Sequence, residues 1–222
     1  MPGVRFDAVI FDNDGLLLDT EQAWTRAERD LFERYGRTFT SDHKRDLLGN
    51  AKHVAAAKLE AMLGRPGHGA RLIEELDELV MEETLAGVPV RPGALELLSA
   101  LRETGTPLGL ASNSPRVFVE RVLTVAGIAR ERFDTVVTLE DAARPKPAPD
   151  IYVEACARLD ADPARSAALE DSPPGVASAR AAGLFVIAVP YFADHTFEEA
   201  SMQADSLADP RVARALGLAE AA

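Results

Sequence analysis

Two carboxylates separated by one residue, Asp12 and Asp14, stand directly behind the apolar run Ala8–Phe11 in the segment Phe-Asp-Asn-Asp-Gly. Asp-Gly is a common turn, and a turn alone would account for acids after a strand. Two carboxylates this close repel each other, however, and need a cation or a shared proton. A hard divalent ion with oxygen ligands, Mg²⁺, meets that need. A carboxylate so held can attack phosphorus, and a second carboxyl two residues on can give a proton to a leaving oxygen and later take one from water. Three further segments carry chemistry behind apolar runs. Glu170 and Asp171 follow Ala167–Leu169. Two acids at a buried strand end are costly unless paired or metal-bound, although Asp171 or Ser172 could also cap a helix. Ser112-Asn113-Ser114-Pro115 follows Gly109–Ala111. Hydroxyls and backbone N–H groups at a helix start make an anion site, while Ser114 alone would satisfy an N-cap. Lys146 lies between Pro145 and Pro147. Flanking prolines stiffen the backbone, which suits a lysine that must point in one direction better than a solvated loop lysine.

These residues require elements that bring them together. Short apolar runs ending in polar residues occur at Ala8–Phe11, Pro107–Ala111, Thr135–Thr138, Ala167–Leu169 and Phe185–Val189, and predict buried strands. Between them lie helical periods: Ala94, Leu97, Leu98 and Leu101; Phe118, Val122 and Val125; Ile151, Ala155 and Leu159. Alternation of this kind predicts an α/β fold with a doubly wound parallel sheet, a Rossmann-like core. One stretch breaks the alternation. From about Thr20 to Ala86 no strand pattern occurs, while Trp24, Ala27, Leu31 and Tyr35, and then Leu72, Ile73, Leu76, Leu79 and Val80, follow a helical period around a turn at Leu63–Ala70. The expected organisation is a core made of residues 1–17 and 91–222, with an all-helical cap, 18–90, inserted after the first strand. The segment Gly87–Gly93, with Pro89 and Pro92, suits a hinge or a stiff connection. Within the first helix, Trp24 shares a face with Ala27 and Leu31 and is expected in the cap's core. The Ala-rich tail Leu216–Ala222 is expected to fray.

Composition narrows the function further. The 222 residues are 47% hydrophobic and 27% charged, as in globular chains, and the net charge is −12. Such a charge argues against a nucleic-acid partner or an anionic membrane surface, but not against a small anionic substrate held by local cations. No protein partner is readable. A single cysteine, Cys156, allows no internal disulfide and reads as a small buried hydrophobe. The start shows no basic segment followed by a long apolar one, and no apolar stretch reaches the ~20 residues that span a bilayer, so a soluble cytoplasmic protein is expected. His43, His53, His68 and His195 are scattered, and P-loop, dinucleotide, nucleophile-elbow and zincin motifs are missing.

Taken together, FDNDGLLLDT, ASNS, RPKPAPDIY and LEDSPPGVASARAAG resemble the four motifs of the haloacid dehalogenase-like hydrolase superfamily in their order, nearest to the β-phosphoglucomutase-like phosphatase branch. The resemblance spans the whole chain. It implies a Mg²⁺-dependent phosphatase acting on small phosphorylated metabolites, sugar or polyol phosphates, through an aspartyl-phosphate. It assigns Asp12 as nucleophile and Mg²⁺ ligand, and Asp14 as general acid/base whose carbonyl also binds the metal. Ser112 and the Asn113 amide groups would hold phosphoryl oxygens, and Lys146 would offset charge between phosphate and Asp12. Asp171 would be the remaining metal ligand, with Glu170 as ligand or supporting partner. Trp24, Lys52 and Arg71 are the cap residues that could meet the substrate. The main alternative is a phosphosugar mutase. The resemblance implies that mutases carry a histidine in the first cap helix and a lysine in the last, whereas Trp24 and the acidic surroundings of Glu74 stand there. Dehalogenation is disfavoured by Asp14, Glu170 and Asp171. Phosphonate cleavage would need a cap lysine, Lys52 or Lys58, in a poorly matching context. A phosphate-binding descendant without activity is disfavoured because every catalytic position is filled.

Overall fold

A computed structural model describes residues 6–47, 52–192 and 197–218; His195 and the last four residues of the Ala-rich tail lie outside them. The chain divides into two compact units, Met1–Asp19 with Pro89–Ala222, and Thr20–Val88. No described helix is long and apolar enough to cross a membrane.

The first unit is built on six parallel strands: β1 (Val9–Phe11), β2 (Leu108–Ala111), β3 (Thr135–Val137), β4 (Ala167–Glu170), β5 (Phe185–Ala188) and β6 (Met202–Gln203). Their order across the sheet is 3-2-1-4-5-6, the doubly wound Rossmann-like order. The chain turns from one half of the sheet to the other between β1 and β4, and ligands of such sheets gather at that switch point. Strands β1 to β4 are buried throughout, as the uninterrupted apolar runs predicted for a sheet covered on both faces. The sixth strand has only two residues and no alternation, and the sequence pattern does not reveal it.

Among the helices of this unit are α5 (Ala94–Glu103), α6 (Arg116–Val125), α7 (Asp150–Arg158), α8 (Pro173–Ala181) and α9 (Pro210–Leu216). Ala94, Leu97, Leu98 and Leu101 are all buried, as their spacing requires. Ile151, Tyr152, Ala155 and Cys156 of α7 join Val176 and Ala179 of α8, and Ile10, Ala111 and Ala168 of the sheet, in one apolar cluster. Cys156 is thus a packing residue, and burial pushes its thiol up to about 11. Leu16–Asp19 and Pro89–Arg91 pair with each other: Asp19 N–H donates to Pro89 O and Arg91 N–H to Leu17 O, both at 2.8 Å. Of the two expectations for this segment, a hinge or a stiff connection, the ladder fits the second, and Leu18, Asp19, Pro89 and Val90 belong to the first unit.

The second unit holds α1 (Glu21–Arg34), α2 (Ser41–Leu47), α3 (Lys52–Leu63) and α4 (Gly69–Glu83), with no strand among its described residues. Ala23, Ala27 and Leu31 of α1 and Leu72, Leu76, Leu79 and Val80 of α4 are buried. Trp24 is not in that core. It is half-buried and shares a second stripe of α1 with Glu21 and Glu28, spaced three and four residues from it, which lines a cavity.

One polar residue ties the turn after β3 to two helices. Asp141 accepts from the Thr138 N–H at 2.8 Å and hydroxyl at 3.0 Å, from Arg158 at 2.9 Å, and from Arg116. Partial burial raises its pKa, but these donors outweigh it and hold the carboxyl at about 2, below its ordinary 3.8. A depressed carboxylate stabilises the fold above its ordinary pKa and ceases to do so as pH falls through the folded value. Asp141→Asn should therefore lower the urea midpoint at neutral pH, and its difference from the unaltered protein should shrink as pH falls from about 4 toward about 2. A difference that holds constant over that range would show that the charge of Asp141 is not what stabilises the turn.

Candidate active site

The register of the sheet places the acidic residues at one edge. Phe11 pairs with Leu110 on one side and Leu169 on the other, so the residues just beyond these strands, Asp12, Ser112 and Asp171, emerge at the same carboxyl end. Main-chain bonds fix two of them, Asp12 N–H to Leu169 O and Ser112 N–H to Val137 O, each at 3.0 Å. Lys146 arrives from the loop between β3 and α7.

Lys146 is the centre of the site. Its side chain is 4% exposed, and its ammonium donates to Asp12 Oδ1 and Glu170 Oε1, each at 2.6 Å, and to Ala111 O at 2.9 Å. Burial acts to discharge the ammonium, but Asp12 and Glu170 outweigh it and keep the lysine charged above its ordinary range. For Asp12 the balance runs the other way: burial raises its pKa well above the usual carboxylate range, Glu170 and Asp14 add to that, and Lys146 opposes it. A further cation beside Asp12 would favour its charged form.

Both oxygens of Glu170 are already engaged. Oε1 accepts from Lys146 and from the Tyr152 hydroxyl at 2.6 Å. Oε2 accepts from Asp171 N–H at 3.2 Å and the Ser172 hydroxyl at 3.3 Å. Tyr152 was not among the expected site residues. It sits beside the apolar stripe of α7, and neither its type nor its spacing shows that its hydroxyl meets a carboxylate.

Asp14 is held by three side chains. Its Oδ2 accepts from the hydroxyls of Ser112 and Ser114, both at 2.9 Å, and its Oδ1 from the Asn13 amide at 3.2 Å. Ser114 therefore does not cap α6. That helix begins at Arg116, whose N–H is accepted by Glu140 at 3.1 Å. Asn113 and Lys146 clasp one another: Lys146 N–H donates to Asn113 Oδ1 at 2.9 Å, and the Asn113 amide donates to Lys146 O at 3.3 Å. The Asn113 side chain thus positions the lysine loop.

Asp12, Glu170 and Asp171, all buried, bring one carboxylate oxygen each within 4.8 Å of one another. Such an all-oxygen set suits a hard divalent cation. The approach of Gly15 is part of the fit. Its φ is +87°, and a Cβ there would lie 2.1 Å from Asp171 Oδ2, so only glycine leaves that carboxylate in place beside Asp12 and Glu170.

In the cap unit, Trp24 and Lys52 line the same cavity, and Lys52 pairs with Asp77 at 2.6 Å. Arg71 is largely exposed, bound to Glu75 at 2.8 Å, and is not among the residues that line the cavity. Lys58 donates to the Asp46 carbonyl.

A family profile described as "Hydrolase: haloacid dehalogenase-like hydrolase" matches residues 6–183. The chain belongs to that family. Validoxylamine A 7'-phosphate phosphatase of Streptomyces hygroscopicus subsp. limoneus is 33% identical over 193 residues, covering 82% of this chain and 84% of that protein. Hexitol phosphatase B of Escherichia coli K12 is 34% identical over 190 residues, covering 82% and 83%. Among solved structures, CbbY from Rhodobacter sphaeroides in complex with phosphate superposes with a TM-score of 0.79 at 30% identity, covering 92% of this chain and 96% of that one.

A second close approach offers a test of the site. Gly175 lies in the first turn of α8, and a Cβ there would fall 2.0 Å from the carboxylate of Glu170. Alanine is the better helix former by ~1 kcal/mol, but Glu170 is pinned by four donors and has nowhere to move. Gly175→Ala should lower the melting temperature and cut kcat at least ~10-fold through displacement of Lys146. A more thermostable variant with unchanged kcat would show that the Glu170 network yields freely.

Proposed function

We propose that this hydrolase cleaves small phosphate monoesters, sugar or polyol phosphates, with Mg²⁺ and through an aspartyl-phosphate on Asp12. The observation that carries the reading is the buried cluster of Asp12, Lys146, Glu170 and Asp171, set beside a second carboxyl, Asp14, held by two hydroxyls. The names of the relatives point the same way.

Phosphoryl transfer leaves the protein mainly the tasks of placing the nucleophile and offsetting charge. An oxygen of Asp12 attacks phosphorus, the P–O bond to the alcohol breaks, and Asp14 gives its proton to the departing alkoxide. Water then attacks the aspartyl-phosphate. Asp14 takes the proton of that water, phosphate leaves and the Asp12 carboxylate is restored. Lys146 holds the rotation of Asp12 and supplies positive charge beside the transferred group. The Ser112 hydroxyl, which donates its one proton to Asp14 as the site stands, would turn it to a phosphoryl oxygen when substrate is bound. Asp12, Asp171 and the main-chain carbonyl of Asp14 would hold Mg²⁺, which when bound supplies a second positive charge for the phosphoryl oxygens. Glu170, whose oxygens face four protein donors, is assigned to Lys146 before it is assigned to the metal. Hydrolysis is favoured over a mutase because Trp24 and the acidic surroundings of Glu74 stand where the resemblance places the mutase's histidine and lysine.

Asp12→Asn preserves size and removes the nucleophile. Hydrolysis of p-nitrophenyl phosphate should fall at least ~10³-fold while the protein stays folded by circular dichroism. Chelation of the unaltered protein should likewise stop turnover, with Mg²⁺ restoring it and Ca²⁺, which takes more ligands at longer distances, failing to do so. Retention of more than a few per cent (~5%) activity by Asp12→Asn, or full activity after exhaustive chelation, would contradict the assignment.

A further inference from the structure

Tyr152 lies in the first turn of α7 and is fully buried, packed in one cluster with Ile10, Ala111, Ile151, Ala155 and Val176. A phenylalanine would fill that place equally well, and a hydroxyl there costs stability unless it is bonded. The phenol donates to Glu170 Oε1 at 2.6 Å. Packing explains the ring but not the oxygen.

The protons of Lys146 supply a reason for it. Among the described residues its nitrogen meets four oxygens: Asp12 Oδ1 and Glu170 Oε1 at 2.6 Å each, Ala111 O at 2.9 Å and the Tyr152 hydroxyl at 3.4 Å. An ammonium group has three N–H bonds, and the three shorter contacts use them all. The Tyr152 oxygen therefore stands beside the ammonium without taking a proton from it, and its own proton goes to Glu170. Lys146 can meet a phosphoryl oxygen next to Asp12 only by giving up one of its three bonds. The bond to Asp12 holds the nucleophile. The bond to Glu170 ends on an oxygen that keeps a second donor, the phenol, when the lysine lets go. A small movement of the ammonium would redirect that proton and leave its charge next to Glu170.

We propose that Tyr152 is a positioning residue, whose hydroxyl holds Glu170 while Lys146 turns one N–H from Glu170 to a phosphoryl oxygen. The proposal rests on the phosphatase reading and adds to it the group that frees the lysine. Without the phenol, the same movement would leave a buried carboxylate oxygen with no donor. Glu170 would then keep the ammonium for itself, and the phosphoryl group would lose a charged donor.

Tyr152→Phe removes one oxygen atom and keeps the ring, whose centroid lies 5.0 Å from the ammonium. The variant should fold, and its Kd for Mg²⁺ should stay within ~2-fold of the unaltered protein's, because Asp12 and Asp171 are untouched. Inorganic phosphate, titrated calorimetrically into the Mg²⁺-saturated protein, should bind at least ~10-fold more weakly to the variant, and kcat/KM for p-nitrophenyl phosphate should fall at least ~10-fold. Tyr35→Phe, which removes a phenol bonded to Glu75 at 3.0 Å in the second unit, should change neither quantity. Unchanged phosphate affinity in Tyr152→Phe would overturn the proposal. So would a joint loss of Mg²⁺ and phosphate affinity, or a failure to fold, since either would assign the hydroxyl to upkeep of the carboxylate cluster. An unaltered protein that neither binds phosphate with Mg²⁺ nor hydrolyses p-nitrophenyl phosphate would refute the phosphatase reading and the proposal with it.

Discussion

A single buried ammonium group makes the core site possible. Asp12, Glu170 and Asp171 converge where water is excluded, and three carboxylates cannot share such a place without positive charge. Lys146 reaches two of them at 2.6 Å each. Removing one partner from a buried pair costs ~3–5 kcal/mol, because the charge left behind has no solvent. The architecture around the lysine serves that constraint. The sheet register delivers the acids to one edge, Asn113 clasps the lysine's main chain, Tyr152 joins Lys146 on one oxygen of Glu170, and Ser172 holds the other. The two glycines at close approach, Gly15 and Gly175, leave room for carboxylates that a methyl group would displace.

The same arrangement explains how a chain of net charge −12 can host an anion. Lys146 and the oxygen-rich cluster create a local environment for a cation and a phosphoryl group that the overall charge does not offer.

Much of the fold was legible in the sequence because the strands are buried on both faces and read as unbroken apolar runs. Strands β1 to β5 lie where those runs predict them, whereas β6, two half-buried residues long, carries no pattern. The helical insertion was legible from the change of period after Thr20, but the expected span 18–90 runs two residues past the observed unit Thr20–Val88 at each end, because the paired connections Leu16–Asp19 and Pro89–Arg91 are held by main-chain bonds, which leave no mark on residue types. Asp12, Asp14 and Asp171 were candidates as polar residues behind apolar runs, and Lys146 as a lysine between two prolines. Tyr152 did not, because a phenol on a buried helix face looks like packing until its hydroxyl is located. Ser114 looked like a helix cap because serine before a helix usually is one, and only the tertiary fold places its hydroxyl on Asp14. Trp24 was assigned to the wrong stripe of its helix: Ala23, Ala27 and Leu31 are buried along one stripe, and the half-buried indole falls in the stripe of Glu21 and Glu28.

The central claim is that Asp12 itself takes the phosphoryl group before water does. The stereochemical course at phosphorus tests this most directly. Each in-line displacement inverts the phosphorus centre, so transfer to Asp12 followed by transfer to water inverts it twice. With an isotopically chiral phosphate ester that the protein turns over and a pseudo-symmetric acceptor alcohol standing in for water, the account predicts net retention of configuration. Net inversion would mean that the acceptor attacks the ester directly, and Asp12 would then be a ligand and not the nucleophile.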